Sequence, residues 1–474
     1  MPSASKLNPV EIILSIYEGN CAVSERTVAN LNRRAVLKLS AGLFAGAGLA
    51  GSVRAVDRPA VVNPRATSGD AAAEPNWDER LTVTVGPGEA QLTGTTDKAL
   101  QAAVDYVARL GGGTVRVLPG TYRLRNAVYL SSNVRILGSG EDSVLIKEPS
   151  AKTKLAADSD WYDQEITLVD AKGFAVGDGV CLKTKNPHNG GTDVAKRTLV
   201  ARSGNRFKLD RALRQNFWEM GDSTCASLFP IFSGENIADV VIENIALDGN
   251  KANNENLDGN YAGCVFLQDC NRITMRQVTA RNYNGDGLSW QICHDVLVEN
   301  CHSHDNVGLG MHPGSGSQRP TIRGNRIERN DIGVFFCWGV KFGLAEKNRI
   351  QGCKSYGVSI GHRDNNNLVR DNDIVESGKV GVLFRPERGK AFAPHRNKIE
   401  NNRIVDSGPE EGIAVDVQGE TDSILLAHNE IRESRLPMKR IGIRLGPQAG
   451  QVELVENKIE GLAVAVSDLR KAAT

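Results

Sequence analysis

The sequence predicts an all-β chain wound as a parallel β-helix, with a helical cap at its N-terminal end. Three observations carry that prediction. Aromatics are only 5% of the 474 residues while glycines number 49, a balance that suits short strands and tight turns better than helical bundles. Asparagine recurs before short alternating apolar segments: "ENIALDGN", "ENCHSHDN", "GNRIERN", "KNRIQGC", "DNDIVES", "NNRIVDS", "HNEIRES" and "ENKIEGL". A second column runs beside it, glycine followed by an apolar residue, from Gly287-Leu288 to Gly442-Ile443.

The first 55 residues read as a targeting segment. "NRRAVLKLSAGLFAGAGLAGSVRA" holds twin arginines, Arg33 and Arg34, a mild apolar run over residues 39–50, and a small-residue ending at Ala55. It resembles a bacterial twin-arginine export signal, with Val36 where Phe is usual. The run is too short and glycine-rich to span a membrane. Residues 1–31 form a polar extension upstream. The resemblance implies transfer by the twin-arginine translocase to a periplasmic or secreted location, with no integral membrane segment in the mature chain. Residues 56–80 read as a linker rich in Ala, Pro and Val.

Residues 81–149 hold the cap and first coils. Thr96 is placed to N-cap a helix whose apolar stripe is Ala99, Leu100, Ala103, Val104, Val107 and Leu110; Gly111 to Gly113 stop it. Short strands follow. A cap is needed because an open first coil exposes apolar side chains and unpaired backbone. Residues 150–232 break the rhythm and read as a small inserted antiparallel β module with Gly-Asp-Gly and Ser-Gly-Asn turns.

Residues 233–474 carry the repeats. The asparagines are Asn244, Asn300, Asn325, Asn348, Asn372, Asn402, Asn429 and Asn457, with Gln277 in the intervening coil. A period in the low twenties with two or three short strands marks a parallel β-helix. Each coil stacks on the last at about 4.8 Å, so equivalent positions form ladders. Formal net charge is +1 with signs mixed, which favours neither nucleic acid nor an anionic membrane surface. Of nine cysteines one, Cys21, precedes the mature chain, and the others lack C-x-x-C spacing. They are expected as buried free thiols, with no zinc.

The entry "TDKALQAAVDYVARLGGGTVRVLPGTYRL" and the coils from Asn236 to Leu469 resemble the pectate-lyase-like superfamily of right-handed, single-stranded parallel β-helices. That superfamily includes polysaccharide lyases, polygalacturonase-like hydrolases, uronan epimerases, tail depolymerases and non-enzymatic adhesins. The fold alone does not choose among them.

Counting from each column glycine, positions two and four should face outward. Anchored on Gly308 and Gly412 among others, this count puts His312, Cys337, Gly361, Arg385 and Asp416 at position four, with Trp338 and His362 next and Arg363 after. Gly310, Ser359, Gly361 and Ala414 read as the small floor of a groove. The cluster spans five coils, about 19 Å. In this register Arg385 and Asp416 are neighbours, and His312 is about 14 Å from Arg385. His312, His362, Arg363, Arg385 and Asp416 are the candidate catalytic residues. Trp338, Asp286, Asp305 and Gln291 are the candidate substrate-binding ones, and Glu387 and Arg388 read as solvated loop charges.

These residue types suit elimination or C5 epimerisation of a uronate polymer. A cation neutralises the carboxylate, a base removes the C5 proton, and an acid serves the leaving group or the other face. Arginine and histidine fill the first two roles. The expected partner is therefore an acidic polysaccharide. A non-catalytic glycan-binding or cell-envelope protein is the alternative. The hydrolase pattern of the superfamily ranks below both, because Asn306, Val307 and Ile332 fall where its acidic pair and histidine would stand. Calcium-binding lyases of this fold use acidic clusters. Asp248 and Asp258 lack an ordered ligand spacing, so no metal or cofactor is expected.

Overall fold

The computed structural model describes residues 74–435 and 439–470; the twin-arginine stretch and most of the linker lie outside them. Most of the described chain is coiled into three-faced turns. One coil, for example, runs through strands Leu309–Gly314, Thr321–Arg323 and Arg326–Glu328, and the next through Ile332–Phe335, Leu344–Glu346 and Arg349–Gln351. Each strand pairs in parallel with its equivalent one coil later. One face forms an 11-stranded sheet from Val128–Tyr129 to Val464–Asp468, and the other two merge into a 21-stranded sheet.

The interior is built from stacked apolar columns. Leu288, Met311, Val334, Val358, Val382 and Val415 are one, and Trp290, Phe336, Ile360, Phe384 and Val417 another, all buried. Ile327, Ile350, Ile374, Ile404 and Ile431 face them from a second side. Fully burying such a side chain contributes roughly 1.5–3 kcal/mol, and each coil adds one to every column.

Corners between faces are turned by residues in the left-handed region. Asn300, Lys347, Asp371, Asn401 and His428 form one such column, with φ between 53° and 55°, and Gly324 shares it. Asn244 and Gln277 also adopt this conformation. They and Asn300 therefore sit one position ahead of the asparagine ladder, a correction to the sequence count. The ladder itself is Asn325, Asn348, Asn372, Asn402, Asn429 and Asn457. Each buried Nδ2 donates to the next Oδ1 at 2.8–3.0 Å, from Asn325 to Asn348 and onward to Asn457. Cys301 stands in the ladder position one coil earlier, where its N–H donates to Asn325 Oδ1.

The strand register also corrects three glycine anchors, one of them Gly263, whose place in the column belongs to Cys264, so that Phe266, counted from it as inward, faces out. Leu288 pairs with Met311, Met311 with Val334, and Val382 with Val415. Gly310 and Ala414 thus occupy the glycine column, not Gly308 and Gly412. A Cβ on Gly310 would meet Ile327 and Asn330, so this glycine makes room inside the coil and not on a groove floor. The outward second-position column reads Phe266, Ser289, His312, Phe335, Ser359, Leu383, Asp416 and Arg444. His312 and Asp416 belong here, while Arg385 lies two residues further along its strand.

The helix Asp97–Arg109 closes the N-terminal end, with Leu100, Ala103, Val104 and Val107 joining the main core. Thr96 is extended at its start, but its side chain accepts no capping hydrogen bond; the Asp97 carboxylate accepts from Arg125 N–H at 3.0 Å. Between Lys152 and Ala226 six strands form a separate antiparallel sheet over its own core, which includes Phe174, Phe207 and Phe217. All eight described cysteines are free thiols, seven of them buried. Among the described residues no helix is long and apolar enough to cross a membrane.

Lys147 is buried at the junction of insertion and coil, its ammonium 4.6 Å from the Phe229 ring and 4.8 Å from Tyr283. Burial lowers its pKa from 10.5 to about 7. Below about pH 7 both folded and unfolded chains are protonated and the cost of the buried charge is fully present. Between about 7 and 10.5 the unfolded chain holds the extra proton, so stability rises with pH. Lys147→Met should remove that slope and raise the unfolding free energy at pH 6 by about 1–4 kcal/mol. Denaturant unfolding at pH 6 and pH 9 reads both effects, and parallel pH slopes for the two proteins would contradict them.

Candidate functional site

Arg385 joins the predicted residues into one group. It leaves its strand just after Phe384 and its side chain runs back across the preceding coil. Nη1 donates to Ser359 Oγ at 2.8 Å and Nη2 to the Phe336 carbonyl at 2.8 Å. Asp364 Oδ2 lies 3.3 Å from Nη2, and the guanidinium carbon is 4.3 Å from the Phe335 ring centroid. The route is open because residue 361 is glycine. A Cβ there would stand 2.2–2.4 Å from Nη2, Nε and Cζ of Arg385.

Asp364 anchors this arrangement from below. It is fully buried and accepts the N–H groups of Gly339, Val340 and Gly361 at 2.8–2.9 Å. Burial pushes its carboxyl pKa up, while Arg385 and the three amides pull it back. A buried carboxylate needs such partners, and so Asp364 holds both the guanidinium and the corner that carries Trp338 and His362.

On one side of Arg385, His312 packs edge-on to Phe335 with ring centroids 5.5 Å apart. Its Nδ1 is 2.8 Å from Asp286 Oδ2, and Asp286 Oδ1 accepts from Leu309 N–H at 2.9 Å. Gln291 Nε2 donates to Ser289 Oγ at 3.1 Å, and Ser289 donates to the Gly259 carbonyl. His312 Nε2 has no hydrogen-bond partner among the described residues. Yet His312 is only 2% exposed, so no ligand touches it unless Phe335 moves.

On the other side Trp338, Arg363 and Arg388 are exposed, while His362 between them is 7% exposed. Trp338 and Arg363 both take left-handed corner conformations, φ 62° and 58°, and project from the end of the sheet. The Trp338 indole is 59% exposed and stacks on His362 with centroids 4.8 Å apart and planes 23° off parallel. His362 Nδ1 faces Glu387 Oε2 at 3.4 Å, and Glu387 Oε1 lies 3.9 Å from Arg385 Nε. Phe392 closes the far side of the His362 ring at 5.1 Å. Arg363 and Arg388, both exposed, set their guanidinium carbons 4.4 Å and 4.9 Å from the Phe392 ring. Arg363 Nε donates to the Ala391 carbonyl, which leaves its terminal nitrogens outward.

Two predicted members stand apart. Asp416 is paired with Arg444 by two bonds of 2.6 Å and 2.9 Å and not with Arg385, because the true register puts it at the second position beside Leu383. Asp305 is on a different face, held by Arg329 at 2.8–2.9 Å and by His304 at 2.6 Å. Glu387, read from sequence as a solvated loop charge, has a mostly buried carboxylate between His362 and Arg385. Phe335, Ser359, Asp364 and Phe392 also belong to the group. Ser359 was already read from sequence as part of a groove floor, and Phe335 stands one coil earlier in the same outward column; Asp364 and Phe392 lie on turns with no repeat to place them. The Cys337 thiol beside them is pushed up to about 12, mainly by burial. Among the described residues no three His, Cys, Asp or Glu side chains converge as metal ligands.

Gly361→Ala should dislodge the guanidinium and lower stability by about 1–3 kcal/mol. In a double-mutant cycle with Arg385→Ala the added methyl should cost nothing once the arginine is gone. Additive losses would mean that the methyl clashes with something else.

The family model described as right handed beta helix region matches residues 241–389. No curated protein matches the chain at significant similarity. Among solved structures the chain is similar to the surface adhesin PfbA of Streptococcus pneumoniae, at 13% identity over 81% of this chain and 97% of that one, TM-score 0.49. The A-module of the mannuronan C-5 epimerase AlgE4 of Azotobacter vinelandii is 15% identical over 79% and 96%, TM-score 0.47. The tailspike gp61 of Pseudomonas phage phi297 is 14% identical over 77% and 68%, TM-score 0.40. The strand pairing above makes the described chain a parallel β-helix, and the family match over residues 241–389 is to the right-handed form.

Proposed function

We propose that the protein acts on a uronate-containing polysaccharide, by elimination or C5 epimerisation, at the centre formed by His362, Glu387, Trp338, Arg363 and Arg388. One observation carries the reading: an exposed indole lies flat against a histidine that also meets a carboxylate and the Phe392 ring, and over that ring stand two exposed arginines. A sugar ring stacks on Trp338 through its apolar face. Its carboxylate is taken up by Arg363 and Arg388, which lowers the energy of the carbanion formed at C5. Arg385 is the positioning residue that holds Glu387 and the Phe335 floor.

The proton moves through His362. Glu387 faces Nδ1 and favours the tautomer that leaves Nε2 free to accept. Nε2 takes the C5 proton, the C4–O bond breaks and the C4=C5 bond forms. The imidazolium then returns its proton to the leaving oxygen, so none is consumed. In epimerisation the C4–O bond stays intact, a water on the opposite face gives a proton to C5, and the hydroxide so formed is neutralised by the proton that His362 releases to solvent. The twin-arginine stretch supports export, so the polymer would be met in the periplasm or outside the cell.

The mature chain should release an ultraviolet-absorbing unsaturated product, or change the epimer ratio, on at least one of alginate, pectate or a glycosaminoglycan. His362→Ala should lower turnover about 10²-fold or more, and Trp338→Ala should act mainly on KM. If polymers bind but none is altered, and His362→Ala binds as well as the parent, the protein is a glycan-binding β-helix without catalysis.

A further inference from the structure

A cleft of about 800 Å³ opens where the inserted antiparallel sheet leans against the first coils. Its floor on the coil side is Phe266 and Gln268, which lie on the same outward face as His312 and Phe335. From Phe266 to Ser359, the residue that holds Arg385, there are four strand steps, about 19 Å. A polymer running along the coil axis thus meets both places.

The cleft is lined by cations that have few carboxylate partners. Lys196 sits 3.7 Å above the Phe266 ring and donates to the Tyr261 carbonyl; it forms no ion pair among the described residues. Burial lowers its pKa to about 8, so near neutral pH it keeps its charge in a place where a ligand carboxylate would stabilise it. Arg211 is only loosely engaged, 3.7 Å from Glu235 and 3.9 Å from Asp210. The Arg214 guanidinium is exposed and has no partner among the described residues, and its left-handed backbone, φ 66°, is pinned by its N–H to the Trp161 carbonyl at 2.6 Å.

Arg214 and Gln215 also line a second pocket, of about 340 Å³, with Trp161, His188 and Trp218. Trp161 is 52% exposed, and Trp218 is held by its Nε1–H on Asp160 at 2.9 Å. Trp161 is the exposed one of the two and Trp218 is half-buried; a large exposed aromatic on a small domain is an unfavourable choice for solubility unless it binds something. Beside an unpartnered arginine the two tryptophans have the composition of a site for a sugar acid: a ring to stack on and a charge for the carboxylate.

We propose that the insertion is a second glycan-binding site, in which Lys196, Arg211 and Arg214 take carboxylates of an acidic polysaccharide and Trp161 and Trp218 stack its sugars. This rests on the elimination or epimerisation reading for the class of polymer, and it gives the insertion the task of holding that polymer beyond the His362 centre. Two linked sites multiply affinity for a chain long enough to reach both.

Calorimetry on the intact mature chain tests this, with oligomannuronates and oligogalacturonates of four and of twelve residues and a neutral cello-oligosaccharide as probes. The parent should bind a twelve-residue acidic chain at least about tenfold more tightly than a four-residue one. Arg214→Ala and Trp161→Ala, both at exposed positions, should erase most of that difference, and added salt should weaken the parent more than Arg214→Ala. Equal binding by parent and variants overturns the proposal, as does equal affinity for the neutral chain or no binding of any acidic chain. The readout is binding, so a failure to find turnover would defeat the elimination reading without deciding this one.

Discussion

Every coil of this molecule is held to the next by parallel strand pairs that meet at left-handed corners. The corner residues are mostly not glycine: Asn300, Lys347, Asp371, Asn401 and His428 share one column. A left-handed residue costs on the order of 1–2 kcal/mol, and the chain accepts that cost at coil after coil. What offsets it is the stack itself. Buried amides such as Asn348 bond the carbonyls of one coil and the side chain of the next, so a corner out of line would leave several polar groups unpaired. The same rule fixes the spacing of everything on the outer face, because residues on adjacent coils are locked about one strand step apart.

Within that frame the group around Arg385 is unusual in reaching across coils. Most charged pairs here join neighbours, such as Asp416 with Arg444 or Arg319 with Asp295. Arg385 passes over residue 361 to touch Phe335 and the Phe336 carbonyl. It thereby separates two histidines with different environments. His312 is enclosed with Asp286 beneath an aromatic lid, which suits a structural tie between coils. His362 lies at the rim, between an exposed indole and a carboxylate. Two histidines on one face, both buried, thus differ in their neighbours, not in residue type.

The repeat and its interior were legible in the sequence because burial imposes one apolar residue at the same place in each coil. Trp290 and Phe384 were recognisable as interior for that reason. Register was legible only where the column carried a single glycine. "GLGMH" offers two, Gly308 and Gly310, and at residue 414 alanine replaces the glycine, so an anchor on Gly308 or Gly412 slips by two. A slip of two keeps inward residues inward, which is why the core looked right while Asp416 was given the wrong neighbour. Glu387, Asp364 and Phe392 were hidden for another reason. They lie in turns whose path is set by local hydrogen bonds, such as Arg363 N–H to the Phe392 carbonyl at 2.8 Å, and no ladder reports on them.

The absent side chain at Gly361 links two distant positions into one choice. A residue with a Cβ there and an arginine at 385 exclude each other in this geometry, since both claim the same few ångströms above the strand. In related chains the two positions should vary together, glycine with arginine or neither. The pair is thus a compact signature by which coils that carry this group can be told from coils that only build the scaffold, even where overall identity is too low to align them.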